Sequence, residues 1–170
     1  MNLFHLILRL IHIVGGTLWV GFALFLSLML TPALGELGPD AGKVMGALQR
    51  RGLTTLLPWL AVATMLSGFW LYWRVSGGTL GAYLASPQGL ALAGGGVVAV
   101  LAYAVGMTVT RPATMQVTAA MQGLAAATPE ERERIMATVA RLRARGAVGS
   151  RWVTILLFLA LGAMAVARYV

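Results

Sequence analysis

The stretch Leu3-Phe-His5-Leu-Ile-Leu-Arg9-Leu-Ile-His12-Ile-Val-Gly15-Gly16-Thr-Leu-Trp19-Val-Gly21-Phe-Ala-Leu-Phe25 continues apolar to Leu34. A bilayer core of ~30 Å takes about 20 helical residues, so a run this long reads as a membrane span that tilts or projects. It far exceeds the ~7–15 apolar residues of a signal-peptide core, and is expected to stay as a helix. Three further runs have spanning length, giving expected spans at about 3–34, 54–74, 87–110 and 151–169. The second carries Pro58 in its first turns and stops at Arg74 and Gly77-Gly78. The third opens with Ser86 as N-cap and Pro87 at the first helical position. The fourth follows Gly149-Ser150.

The whole composition agrees. Mean hydropathy is +0.82 and only 11% of residues are charged, so lipid is the natural solvent. The expected fold is all-α, an integral membrane four-helix bundle forming a single transmembrane domain over 1–170, with no repeat or second domain visible. Between the third and fourth spans, Thr128-Pro129-Glu130-Glu131 makes a capping box, and Ile135, Met136, Val139 and Leu142 recur at helical spacing. This predicts an amphipathic cytoplasmic helix at about 128–145, lying on an anionic membrane surface, docked on the bundle, or serving as a solvated connector.

The net charge of +8 points to anchoring and not to nucleic acid, because the cations fall between apolar blocks. Ten of the thirteen Lys and Arg residues sit in the first and third connections, leaving Arg9, Arg74 and Arg168. By the positive-inside rule those two connections are cytoplasmic and both termini lie outside. Trp70 and Trp73 then belong to the outer aromatic belt, and Trp59 and Trp152 to the inner one.

Several chemistries drop out. There is no cysteine, which removes disulfides, thiolate metal sites and covalent c-type haem. No acidic residue lies between Asp40 and Glu130 or within any span, which argues against a proton-coupled transporter. What polar content the spans hold is concentrated at His5, Arg9 and His12, and with Gly16 and Trp19 these form the 4-3-4-3 step of one helical stripe. Polar groups in a membrane helix are expected to face the bundle, so the stripe marks the candidate site. An imidazole in an apolar bundle suits haem iron, and Gly15-Gly16 leave backbone for a flat macrocycle to approach. His12 is the expected ligand, with Arg9 and Arg74 placed to meet propionates. His5 and His12 lie about 10.5 Å apart along one helix and cannot clamp one iron from both faces. By depth His12 is level with about Met65 and Gly94, which makes Met65 a candidate second ligand; a five-coordinate iron or a ligand from another subunit is equally compatible.

The stretch Leu10-Ile-His12-Ile-Val-Gly-Gly-Thr-Leu-Trp19-Val-Gly21-Phe-Ala-Leu-Phe25 resembles the first-helix pattern of the HemJ-type protoporphyrinogen oxidases and of copper resistance D-like membrane proteins. The likeness extends through Lys43-Val-Met45-Gly-Ala-Leu-Gln-Arg50-Arg51, through Gly68-Phe-Trp70-Leu-Tyr-Trp73, and to the arginine-rich segment before the last span. The resemblance implies haem b held through His12 in a bacterial cytoplasmic membrane and, for the oxidases, conversion of protoporphyrinogen IX to protoporphyrin IX. It departs at Gln88-Gly-Leu-Ala-Leu-Ala-Gly94, where the oxidases carry an essential lysine. If that lysine is required, a relative of this kind retains the pocket and loses the oxidase reaction. The expected function is therefore a membrane b-type haem or porphyrin redox protein. A copper-handling protein using His5, His12, Met29 and Met65 is the alternative, since thioether and imidazole suit Cu(I). A non-catalytic subunit or assembly partner is the third. The expected partners are the bilayer, a redox partner and a second copy of the chain.

Overall fold

A computed structural model describes residues 3–125 and 127–170. Among them the chain forms helices α1 (Leu3–Glu36), α2 (Ala41–Arg50), α3 (Leu53–Val75), α4 (Leu80–Leu84), α5 (Pro87–Gln122) and α6 (Pro129–Val166), and no strand. Helices α1, α3, α5 and α6 are long and apolar enough to cross a membrane. Their flanks expose large apolar side chains, among them Leu66 at 66%, Phe69 at 67% and Leu90 at 63%, a surface compatible with contact to lipid.

The bundle is assembled from two helix pairs. Helices α1 and α3 pack along their lengths, as do α5 and α6, while contacts between the pairs are sparser. Each pair closes on a glycine. A Cβ on Gly15 would stand 2.7 Å from Thr64 Oγ1, and one on Gly95 would stand 3.1 Å from the Ala160 carbonyl oxygen, so only glycine permits these helices to approach so closely. Where the pairs meet, Trp19, Ala61, Ala99, Ala102, Leu157 and Ala160 form one buried cluster. Small residues dominate it because, with lipid outside, association rests on close van der Waals packing and not on expelling water.

Both long helices α1 and α5 contain a π turn, at Leu26–Leu30 and at Gly106–Thr110. In each, the next residue donates its N–H five residues back, Thr31 to Leu26 and Arg111 to Gly106, and a proline follows. A proline ring clashes with the carbonyl one turn earlier and brings no N–H, and winding in an extra residue moves that carbonyl aside.

The structure corrects two boundaries. Helix α5 runs on to Gln122 where the span was expected to end near 110. The amphipathic segment at 128–145 is not a separate helix, because α6 continues for 38 residues through Gly149-Ser150. Gly149 is there for packing: a Cβ on it would meet Thr110 Oγ1 at 2.7 Å and Val109 Cγ1 at 2.9 Å. The capping box forms as expected, with the Thr128 N–H donating to Glu131 Oε2 at 2.8 Å and the Glu131 N–H to Thr128 Oγ1 at 3.3 Å. The apolar face of this half of α6 docks on the extension of α5, burying Val139 to 1% exposure.

Candidate functional site

The end of the bundle that carries Leu3 and Val75 is pinned by Phe4 against Trp70, ring centroids 5.8 Å apart and edge to face. Two turns along α1 from Phe4, the half-buried His12 lies against α3. Its Nδ1 is 2.9 Å from the Thr64 carbonyl oxygen. A carbonyl only accepts, so Nδ1 carries the proton and donates. In a neutral ring Nε2 then holds the lone pair. That arrangement, with one nitrogen tied to a backbone carbonyl and the other free, is how a ligating imidazole is oriented and fixed in its tautomer.

Helix α3 is shaped to receive the ring. Gly68 leaves a gap that a Cβ would close, coming within 2.6 Å of His12 Cε1 and 2.9 Å of Nδ1. The buried Ser67 hydroxyl shares its one proton between the Ala63 carbonyl at 2.6 Å and the Thr64 carbonyl at 3.0 Å, so the oxygen that receives His12 is also the weaker acceptor of a forked hydroxyl bond. The Thr64 hydroxyl is turned back to the Leu60 carbonyl at 2.8 Å, which leaves its side chain as the surface Gly15 lies against. In a membrane protein such an interhelical hydrogen bond contributes about 0.6 kcal/mol on average, so it orients the ring more than it holds the pair together.

The other expected site residues separate. Gly16 lies on the same contact, where its Cβ would be 3.4 Å from Thr64 Cγ2, so Gly15 is the tighter of the two. Trp19 is 7% exposed and belongs to the central cluster. Met65 is level with His12 as depth predicts, but it packs against that cluster, whereas His12 rests on the Thr64 and Gly68 flank. Arg9 and Arg74 are exposed, as is the neighbouring apolar surface of α1. Thr64 and Ser67 did not figure in the sequence reading, and Gly68 entered it only as part of the family likeness and not as a site residue. Their signal was there, as the one i, i+3, i+4 run of small and hydroxyl residues inside the second span.

The donor set can be tested against the expected groups. Among the described residues no three of His, Cys, Asp and Glu stand together, and the chain's other histidine is two turns away on the same helix. A single imidazole with a free Nε2 suits one axial bond to a haem iron, and is too few ligands for a closed copper centre.

A large cavity of about 830 Å³ lies elsewhere, between all four long helices toward the end that carries α2. Trp19 and Ala61 line its inner limit, and Lys43, Arg50, Arg111 and Arg143 line it at the other. His12 is not among its lining residues, so a group held by His12 is held apart from it.

No protein-family model, no curated protein and no solved structure matches this chain.

Proposed function

We propose that this multi-pass membrane protein binds a b-type haem or a related porphyrin through His12 Nε2 and serves a redox role, either electron transfer or porphyrinogen oxidation. The observation that carries the reading is the His12 ring itself, polarised by the Thr64 carbonyl through Nδ1 and accommodated by the missing side chain of Gly68. A carbonyl accepting from the distal nitrogen raises the basicity of the ligating one, which favours binding iron. Haem, when bound, supplies a one-electron couple at its iron. The protein's residues contribute orientation and a low-dielectric surround. Ser67 steadies the accepting carbonyl, and the exposed Arg9, one turn from His12 toward the Leu3 end, is placed for an anionic substituent. Arg74 closes α3 at the same end. In this reading the Leu3 end faces outward, the α2 end is cytoplasmic, and the membrane is a bacterial inner membrane.

The full chain purified from haem-replete cells is expected to show a Soret band that is lost in His12→Ala and restored in part when imidazole is added to that variant. A wild-type protein without a Soret band, or a His12→Ala protein with an unchanged one, contradicts the proposal.

A further inference from the structure

The cavity near α2 has no part in the His12 reading, and no histidine lines it. Its walls are of two kinds. Toward the centre they are apolar, from Leu26, Leu57, Ala102 and Val153 beneath Trp19. Toward the α2 end they carry Arg50, Arg111 and Arg143, with Arg143 half-buried, and no Asp or Glu appears anywhere in the lining. The one ion pair among the described residues joins Lys43 Nζ to Asp40 at 2.7 Å, and neither Asp40 nor Glu36 is in the lining. The ammonium donates a hydrogen bond and adds its charge, holding the Asp40 carboxyl below its ordinary range. Thr110 Oγ1, in the same wall, is buried without a hydrogen-bond partner. Both π turns border this space, and it is there that α1 and α5 depart from regular winding.

We propose that this cavity binds an anionic amphiphile of the membrane, a phosphate-headed lipid or isoprenoid, with its apolar body beneath Trp19 and its head among Arg50, Arg111 and Arg143. Apolar space of this size between helices is of the range that houses a ligand. Three guanidinium groups without carboxylate partners call for an anion that several donors can share. A phosphate monoester offers up to two charges and three acceptor oxygens, which a carboxylate does not.

Trp19 provides the readout. At 7% exposure it is shielded from bulk lipid, whereas Trp59, Trp70, Trp73 and Trp152 are 44–68% exposed and are expected to accept phenylalanine. The full-length variant with Trp19 as its only tryptophan is reconstituted in phosphatidylcholine nanodiscs and titrated with phosphatidic acid bearing brominated acyl chains. Trp19 fluorescence is expected to be quenched, with brominated phosphatidylcholine and brominated fatty acid each at least about fivefold less effective. Arg143→Gln is expected to abolish that preference and Arg143→Lys to keep most of it. Gly106→Leu, which fills the wall, is expected to abolish quenching by every lipid. Inorganic phosphate, a head without a body, is expected not to displace the brominated lipid. His12→Ala is expected to change none of this, so failure here and failure of the haem reading are separable. Equal quenching by the three brominated lipids, no quenching at all, or quenching unaffected by Arg143→Gln overturns the proposal.

Discussion

In the α1–α3 pair the close contact is between Gly15 and the side chain of Thr64; in the α5–α6 pair it is between Gly95 and the backbone of Ala160 and the Met164 side chain. The pairs are otherwise alike, each having a run of glycines at the crossing, two in α1 and three in α5, then a π turn, then a proline. They differ in what else the crossing holds. The first pair places an imidazole, two hydroxyls and a side-chain gap at Gly68 within one turn; the second has alanines and a methionine. The contrast teaches that glycines in a membrane helix license proximity, and that chemistry begins only where a polar group is placed beside them.

The comparison can be broken most severely at Gly95. Its added Cβ would meet a carbonyl that cannot rotate away, so Gly95→Val is expected to destabilise the bundle by about 1–3 kcal/mol through overpacking. Unfolding in mixed detergent and denaturant measures this. Gly15→Ala meets a hydroxyl that can move, so its cost is expected to be smaller, on the order of 1 kcal/mol, and to be relieved in Gly15→Ala/Thr64→Ala. A double-mutant cycle showing no coupling removes the proposed contact. Gly68→Ala is expected to cost less stability still, while displacing His12 and abolishing any His12-dependent Soret band. Thr128→Ala, outside both pairs, removes the cap of α6 and is expected to cost about 1 kcal/mol, read as fraying at that end by hydrogen exchange. The smallest effect belongs to Gly94, whose added Cβ meets nothing. Gly94→Ala is expected to be neutral or to stabilise α5 by up to about 1 kcal/mol, which shows that only the middle glycine of the three at 94–96 packs a helix.

Much of this was legible in the sequence, for identifiable reasons. Spanning helices are set by length and hydropathy, and the caps at Ser86 and Thr128 are local chemistry, so both are found where they were expected. Depth was readable too, because antiparallel helices at a fixed rise set His12 level with the middle of α3. Rotation was less readable. Of the stripe His5, Arg9, His12, Gly16 and Trp19, Trp19 is buried and His12 and Gly16 are half-buried, whereas Arg9 is exposed and Gly15, off the stripe, is buried, since an apolar helix carries little contrast to fix its rotation. Helix ends failed where a breaker was read from residue type alone. Gly149-Ser150, read as preceding the fourth span, lies inside α6, and α5 runs past the expected end near 110 through Pro112, because tertiary packing and a π turn absorb what would stop an isolated helix. The likeness of the two pairs was hidden because only the glycine runs and the proline-alanine steps are shared in sequence. The α2-end cavity arises from four helices at once and leaves no local pattern.

Which nitrogen of His12 carries the proton decides whether the ring can ligate. Solid-state ¹⁵N NMR of the ring, in protein labelled at histidine and compared with His5→Gln to assign the signals, reads this directly. The predicted result is a protonated Nδ1 and an unprotonated Nε2 in the metal-free protein. Finding the proton on Nε2 would mean that the nitrogen required for ligation is occupied and that Nδ1 is not donating to Thr64, and the site as described would be wrong.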